Sequence, residues 1–169
     1  MANGHAGVAQ EAGVAQGAGV AQGAGVAQRA AAGFAAGAVS VLVFHQGAWA
    51  LLHAFGVMPP PFPTAPVPPL GVPQIYDMCF WGGIYGLVFG LLLPVLPPRG
   101  VWVQGIVLGL VAELGAMFLL PAIKGLPMAF GGSVPIILVS TVINATWGLG
   151  VGLFIPLVLP RGFARLRSA

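Results

Sequence analysis

The chain is 169 residues long, 58% hydrophobic and only 5% charged, with a formal net charge of +3. Soluble domains carry about 25% charged residues, so this alphabet cannot clothe a water-facing surface and a soluble enzyme is excluded. The single cysteine, Cys79, excludes an internal disulfide framework and any CxxC metal or redox motif.

Residues 1–33 are low in complexity. From 6 to 29 they read as four tandem hexads, AGVAQE, AGVAQG, AGVAQG and AGVAQR. That length is too short for a stack of β-helical coils. Glycine costs about 1 kcal/mol relative to alanine in a helix, so a disordered cytoplasmic tail is expected. Arg29 is the first basic residue, so the n-region of a cleavable signal is missing and the first apolar span is expected to stay as an anchor.

Four apolar stretches follow, at about 34–57, 75–96, 101–120 and 135–159. Each is long enough to cross about 30 Å of hydrocarbon, and none alternates with the period of a barrel strand. The expected fold is an all-α integral membrane protein with four transmembrane helices over 34–162. A basic cytoplasmic tail, 163–169, ends the chain. Arg29, Arg99, Arg161, Arg165 and Arg167 fall on one side of that arrangement and Lys124 on the other. The bias places both termini in the cytoplasm, in a bacterial inner membrane. The net charge is a topology signal, and no nucleic-acid partner is implied. Between the first two spans, residues 58–73 hold eight prolines, a composition that favours an extended polyproline spacer.

A gapless shift of 62 residues lays 39–100 over 101–162. Gly86, Gly90, Pro94 and Arg99 then lie over Gly148, Gly152, Pro156 and Arg161, and Gly47 over Gly109. This reads as two parallel-repeat hairpins about a pseudo-two-fold along the membrane normal, with Pro94 and Pro156 as matching kinks. Glycines at four-residue spacing (Gly33 and Gly37; Gly86 and Gly90; Gly105 and Gly109; Gly148 and Gly152) mark close helix contacts.

Glu113 is the one carboxylate expected at membrane depth, where a charge costs several kcal/mol. It continues the Gly105–Gly109 line at i, i+4 and so faces the packed interior. Asn144 lies at similar depth and is the expected partner. The two serve either as structural glue or as a transport site. His45, Trp49 and His53 form a second stripe, opposite Gly47, Ala50 and Ala54. It is expected to look toward the second helix, lipid or another subunit, with Asp77 near His53 at the outer end. No metal signature and no nucleophile–base pair is present in this pattern. No cofactor is expected, with ligation of haem or a chlorophyll-type pigment by His45 or His53 as the minor alternative. The leading functional expectation is a non-enzymatic accessory or scaffold subunit of a larger membrane assembly or homo-oligomer. The alternative is a small transporter or channel using Glu113 and Asn144 at the repeat interface.

Overall fold

The computed structural model describes residues 25–97 and 100–159. Residues 1–24 of the hexad tail, Arg99, and the basic end with Arg161, Arg165 and Arg167 lie outside the described residues. Four helices carry the fold: α1 (Gly25–Ala54), α2 (Gln74–Val95), α3 (Val101–Lys124) and α4 (Val134–Val158), each long and apolar enough to cross a membrane. The shortest has 22 residues, or about 33 Å at 1.5 Å per residue. Large apolar side chains point outward on every helix, among them Leu42, Phe80, Val107 and Leu138, while Ser40, Gln46, Gln104 and Glu113 are buried. A water-soluble bundle has the opposite arrangement.

The helices pair through glycine seams. On α1, a Cβ added at Gly33 would collide with the Gly86 carbonyl of α2, and one at Gly37 with the Gly82 carbonyl. On α3, a Cβ at Gly105 would collide with the Gly148 carbonyl of α4, and one at Gly109 with the Asn144 carbonyl. At Gly90 and Gly152 the obstacles are the Arg29 and Val101 carbonyls. Lipid supplies no hydrophobic force between helices, so this backbone proximity is what holds each hairpin together. It also explains why α1 begins at Gly25, within the last hexad and ahead of the expected start at 34. Seam packing outweighs the low helix propensity of its glycines.

The small face of α1 that meets the bundle is Gly33–Gly37. Gly47 and Ala54 are exposed, Ala50 is half-buried, and nothing lies within 4 Å of the place a Gly47 Cβ would take, so the small face opposite His45, Trp49 and His53 is not the seam. Across the bundle, the Ser40 hydroxyl donates to the Trp147 carbonyl (2.6 Å) and the Trp147 indole donates to the Gly37 carbonyl (2.9 Å). This reciprocal pair ties α1 to α4.

Helices α1 and α3 each widen into a π turn near the middle, at Val41–His45 and Gly115–Leu119. Such turns are frequent at functional sites. Pro94 sits in a 3₁₀ turn, Leu93–Val95, that ends α2, whereas α4 runs through Pro156 to Val158. The two prolines therefore play different roles and do not make matching kinks.

The proline-rich connection does not stand off as an extended spacer. It folds back along α1: the Trp49 indole donates to the Pro59 carbonyl (2.8 Å), His53 Nδ1 to the Met58 carbonyl (2.8 Å), and the Phe62 amide to the Gln46 side-chain carbonyl (2.6 Å). A two-residue antiparallel pairing, β1 (Pro66–Val67) with β2 (Val72–Pro73), closes it against the start of α2. The shorter connection leaves α3 through Gly125, whose φ of 65° is the left-handed cap that glycine allows. It continues through Ala129 and Phe130, both also at positive φ.

Candidate functional site

Glu113 and Asn144 come together. Both the Asn144 amide and the Ser140 hydroxyl donate to Glu113 Oε2, each at 2.7 Å, and Asn144 Nδ2 also donates to the Ser140 carbonyl at 3.1 Å. Ser140, Asn144 and Trp147 share one face of α4 because i, i+4 and i+7 positions align on a helix. The glycine seam brings α3 close enough for Glu113 to reach that face. Glu113 is 4% exposed, and its Oε1 is buried with no hydrogen-bond partner. Two donors thus occupy one carboxylate oxygen, and Oε1 is the atom left to take a proton or a cation.

Above the seams the four helices separate around a cavity of about 710 Å³. Its lining begins at Val41 on α1, Tyr85 on α2, Ala112 on α3 and Trp147 on α4, and continues to the ends that carry the two connections. The seams close the bundle from Gly33 to Gly37 on α1 and from Gly105 to Gly109 on α3. The cavity is therefore closed at the level of the seams and extends toward the connection side. Ser140 and Asn144 form part of its wall, with aromatic faces from Trp49, Trp81 and Trp147. Near the connections, Lys124 and Asp77 also line it and form an ion pair between α3 and α2. Their side chains are only 8% and 15% exposed.

The stripe of His45, Trp49 and His53, with Asp77 expected beside its outer end, is split up. His45 and Trp49 turn inward to the cavity, with ring centroids 6.0 Å apart. His53 is exposed and bonded to the connection, and Asp77 is committed to Lys124. Among the described residues no group of three or more His, Cys, Asp or Glu side chains is placed to hold a metal ion. Gln46 lies outside that stripe and is fully buried. Its Oε1 accepts from the Phe62 amide, and its Nε2 approaches His45 Nδ1 (3.3 Å) and Met78 Sδ (3.6 Å). Its position beside His45 was the available signal. Ser140 was legible as the residue four before Asn144, whereas Tyr85, whose hydroxyl is buried without a partner against the Gly115 backbone, gave none.

No protein-family model, curated protein or solved structure matches the chain. Its function therefore has to be argued from the site.

Proposed function

We propose that the chain is a small, non-enzymatic, polytopic membrane protein of transporter type, in which Glu113 and Asn144 serve a ligand-accessible cavity. The cavity carries this reading. A void of about 710 Å³ lies in the range of small-molecule sites, roughly 300–1,000 Å³. It is closed on one side by glycine seams and flanked by an ionisable group whose burial is costly. The two π turns fall at the level where the bundle opens, which suits a point of bending. On the basic-residue bias, both termini are cytoplasmic in a bacterial inner membrane and the cavity opens outward.

We further propose a duplication, in a register that the contacts support better than a gapless shift. Gly33 and Gly37 occupy the seam positions of Gly105 and Gly109, 72 residues on, while Gly82, Gly86 and Gly90 match Asn144, Gly148 and Gly152, 62 residues on. The difference of ten is the difference between connections of 19 residues (55–73) and 9 residues (125–133). In this register Val41, Met78 and Gly82 stand where the second hairpin has Glu113, Ser140 and Asn144. The polar cluster belongs to one half alone.

The accessory-subunit reading takes second place. Its glycine faces are used within the chain, and His45 and Trp49 line the cavity, so neither feature remains as a docking surface. Flux decides between the two readings. Wild type, Glu113→Gln and Glu113→Leu are placed in liposomes holding a pH-sensitive dye under an imposed potassium diffusion potential, and their melting is measured in detergent. Transport through Glu113 predicts proton or cation flux in wild type, lost in Glu113→Gln with melting nearly unchanged. Glu113→Leu should lose flux and also about 0.5–2 kcal/mol of stability through the broken interhelical bonds. Wild type without flux at any pH, beside a stable Gln variant, removes the transporter reading.

A further inference from the structure

The polar atoms of His45 and Asn144 on the cavity wall are oriented in a way that selects a ligand, while Gln74, Trp81 and the unpartnered Tyr85 hydroxyl add further polar groups to the lining. The Phe62 amide donates to Gln46 Oε1, which fixes the orientation of that side-chain amide. Its Nε2, a donor only, therefore faces His45 Nδ1 at 3.3 Å. Nδ1 must accept, so the ring proton of neutral His45 sits on Nε2, which makes no hydrogen bond in the structure. Asn144 is fixed in the same manner. Its Nδ2 donates to Glu113 Oε2 and to the Ser140 carbonyl, and its Oδ1 is left over as an acceptor. Trp49 and Trp147 spend their indole N–H groups on the Pro59 and Gly37 carbonyls, and Lys124 and Asp77 neutralise each other.

We infer that the cavity binds an uncharged lipophile whose polar group both accepts and donates a hydrogen bond, an alkyl secondary amide being the type. His45 Nε2–H would meet the carbonyl and Asn144 Oδ1 the N–H, with the alkyl body against the aromatic and aliphatic wall. A net charge on the ligand would find no unpaired counter-charge among the lining residues. The same tautomer argues against haem or a pigment on His45, because metal ligation through Nε2 would put Nδ1–H against the Gln46 amide, donor to donor. The inference rests on the cavity being a ligand site, and it does not require transport.

The test uses the full chain in lipid nanodiscs with Trp102→Phe. Trp102 is exposed and outside the cavity lining, so the remaining tryptophans Trp49, Trp81 and Trp147 all report on the cavity. The probe is N-methyl-11-bromoundecanamide, whose bromine quenches tryptophan on contact. Saturable quenching is expected. N-methyldecanamide should displace the probe, N,N-dimethyldecanamide should do so about two- to tenfold less well for want of the N–H, and decanoate and undecane weakly or not at all. His45→Phe should weaken probe binding by a similar factor. If that variant misfolds, the competitor series on the otherwise unaltered protein still decides. Quenching that rises linearly without saturation overturns the inference. So does equal displacement by undecane, which would make the cavity a greasy slot, or stronger displacement by decanoate. Saturable binding without flux leaves this inference standing and removes the transporter reading; flux without saturable binding does the reverse.

Discussion

At the scale of single residues, the glycines divide into those a side chain would wreck and those it would not touch. Gly148 lies against the Gly105 carbonyl and the Gly109 backbone, with its would-be Cβ 2.7 Å from the Gly109 nitrogen. A backbone cannot step aside as a flexible side chain does. Gly148→Ala is expected to cost about 1–3 kcal/mol as overpacking, and Gly105→Ala should match it. Gly47 faces open space on the same kind of helix, so Gly47→Ala should be neutral or stabilise by up to about 1 kcal/mol through helix propensity alone. Thermal unfolding in one detergent compares the variants, and equal effects at the two positions would contradict the seams. The sequence made the seam glycines legible through their spacing. It did not reveal that Gly47 was outside the seam, since a repeat read without gaps gave it a partner in Gly109.

At the scale of the elements, the two hairpins are joined on the connection side by the Lys124–Asp77 pair. Both side chains are largely withdrawn from solvent, so removing one partner strands the other's charge. Asp77→Leu or Lys124→Met alone is expected to destabilise by about 3–5 kcal/mol, while the double variant recovers most of that loss, because a buried pair and an apolar replacement are often nearly equivalent. A double-mutant cycle on detergent unfolding checks this, and additive losses would show that the pair is not coupled. In the sequence Lys124 stands as a topology marker and Asp77 as a neighbour of His53. The residues are 47 positions apart, and pairing them requires knowing how α2 lies against α3. The proline-rich connection departs from an extended polyproline path for a related reason. Composition favours polyproline geometry locally, but the buried Gln46 amide offered its backbone a partner and drew it back.

At the scale of the whole molecule, charge placement predicts the orientation in the membrane. Reporter fusions at Ala169 and within residues 59–69 should give cytoplasmic and external signals respectively, by the bias of Arg over Lys across the bundle. The opposite pattern would turn the cavity toward the cytoplasm and overturn the outward-opening reading. The duplicated register makes a companion claim about asymmetry. In the proposed register Val41, Met78 and Gly82 stand at the positions of Glu113, Ser140 and Asn144, so the duplication we propose leaves the polar chemistry to one hairpin.

The number of spanning helices, their approximate limits and the glycine contact faces were determined by the sequence itself, because each depends on residues close along one chain. Run length is measured against bilayer thickness, and face membership against a 3.6-residue turn. The Glu113–Asn144 pair was legible too, as two rare polar groups at matching depth. The tertiary structure alone decided which way α1 turns, that a cavity opens above the seams, and that Gln46 locks the tautomer of His45. These depend on how the helices are rotated and staggered against one another. That stagger is set where backbones touch at Gly33, Gly37, Gly105 and Gly109 and by two connections of unequal length, and no periodicity within a single helix encodes it.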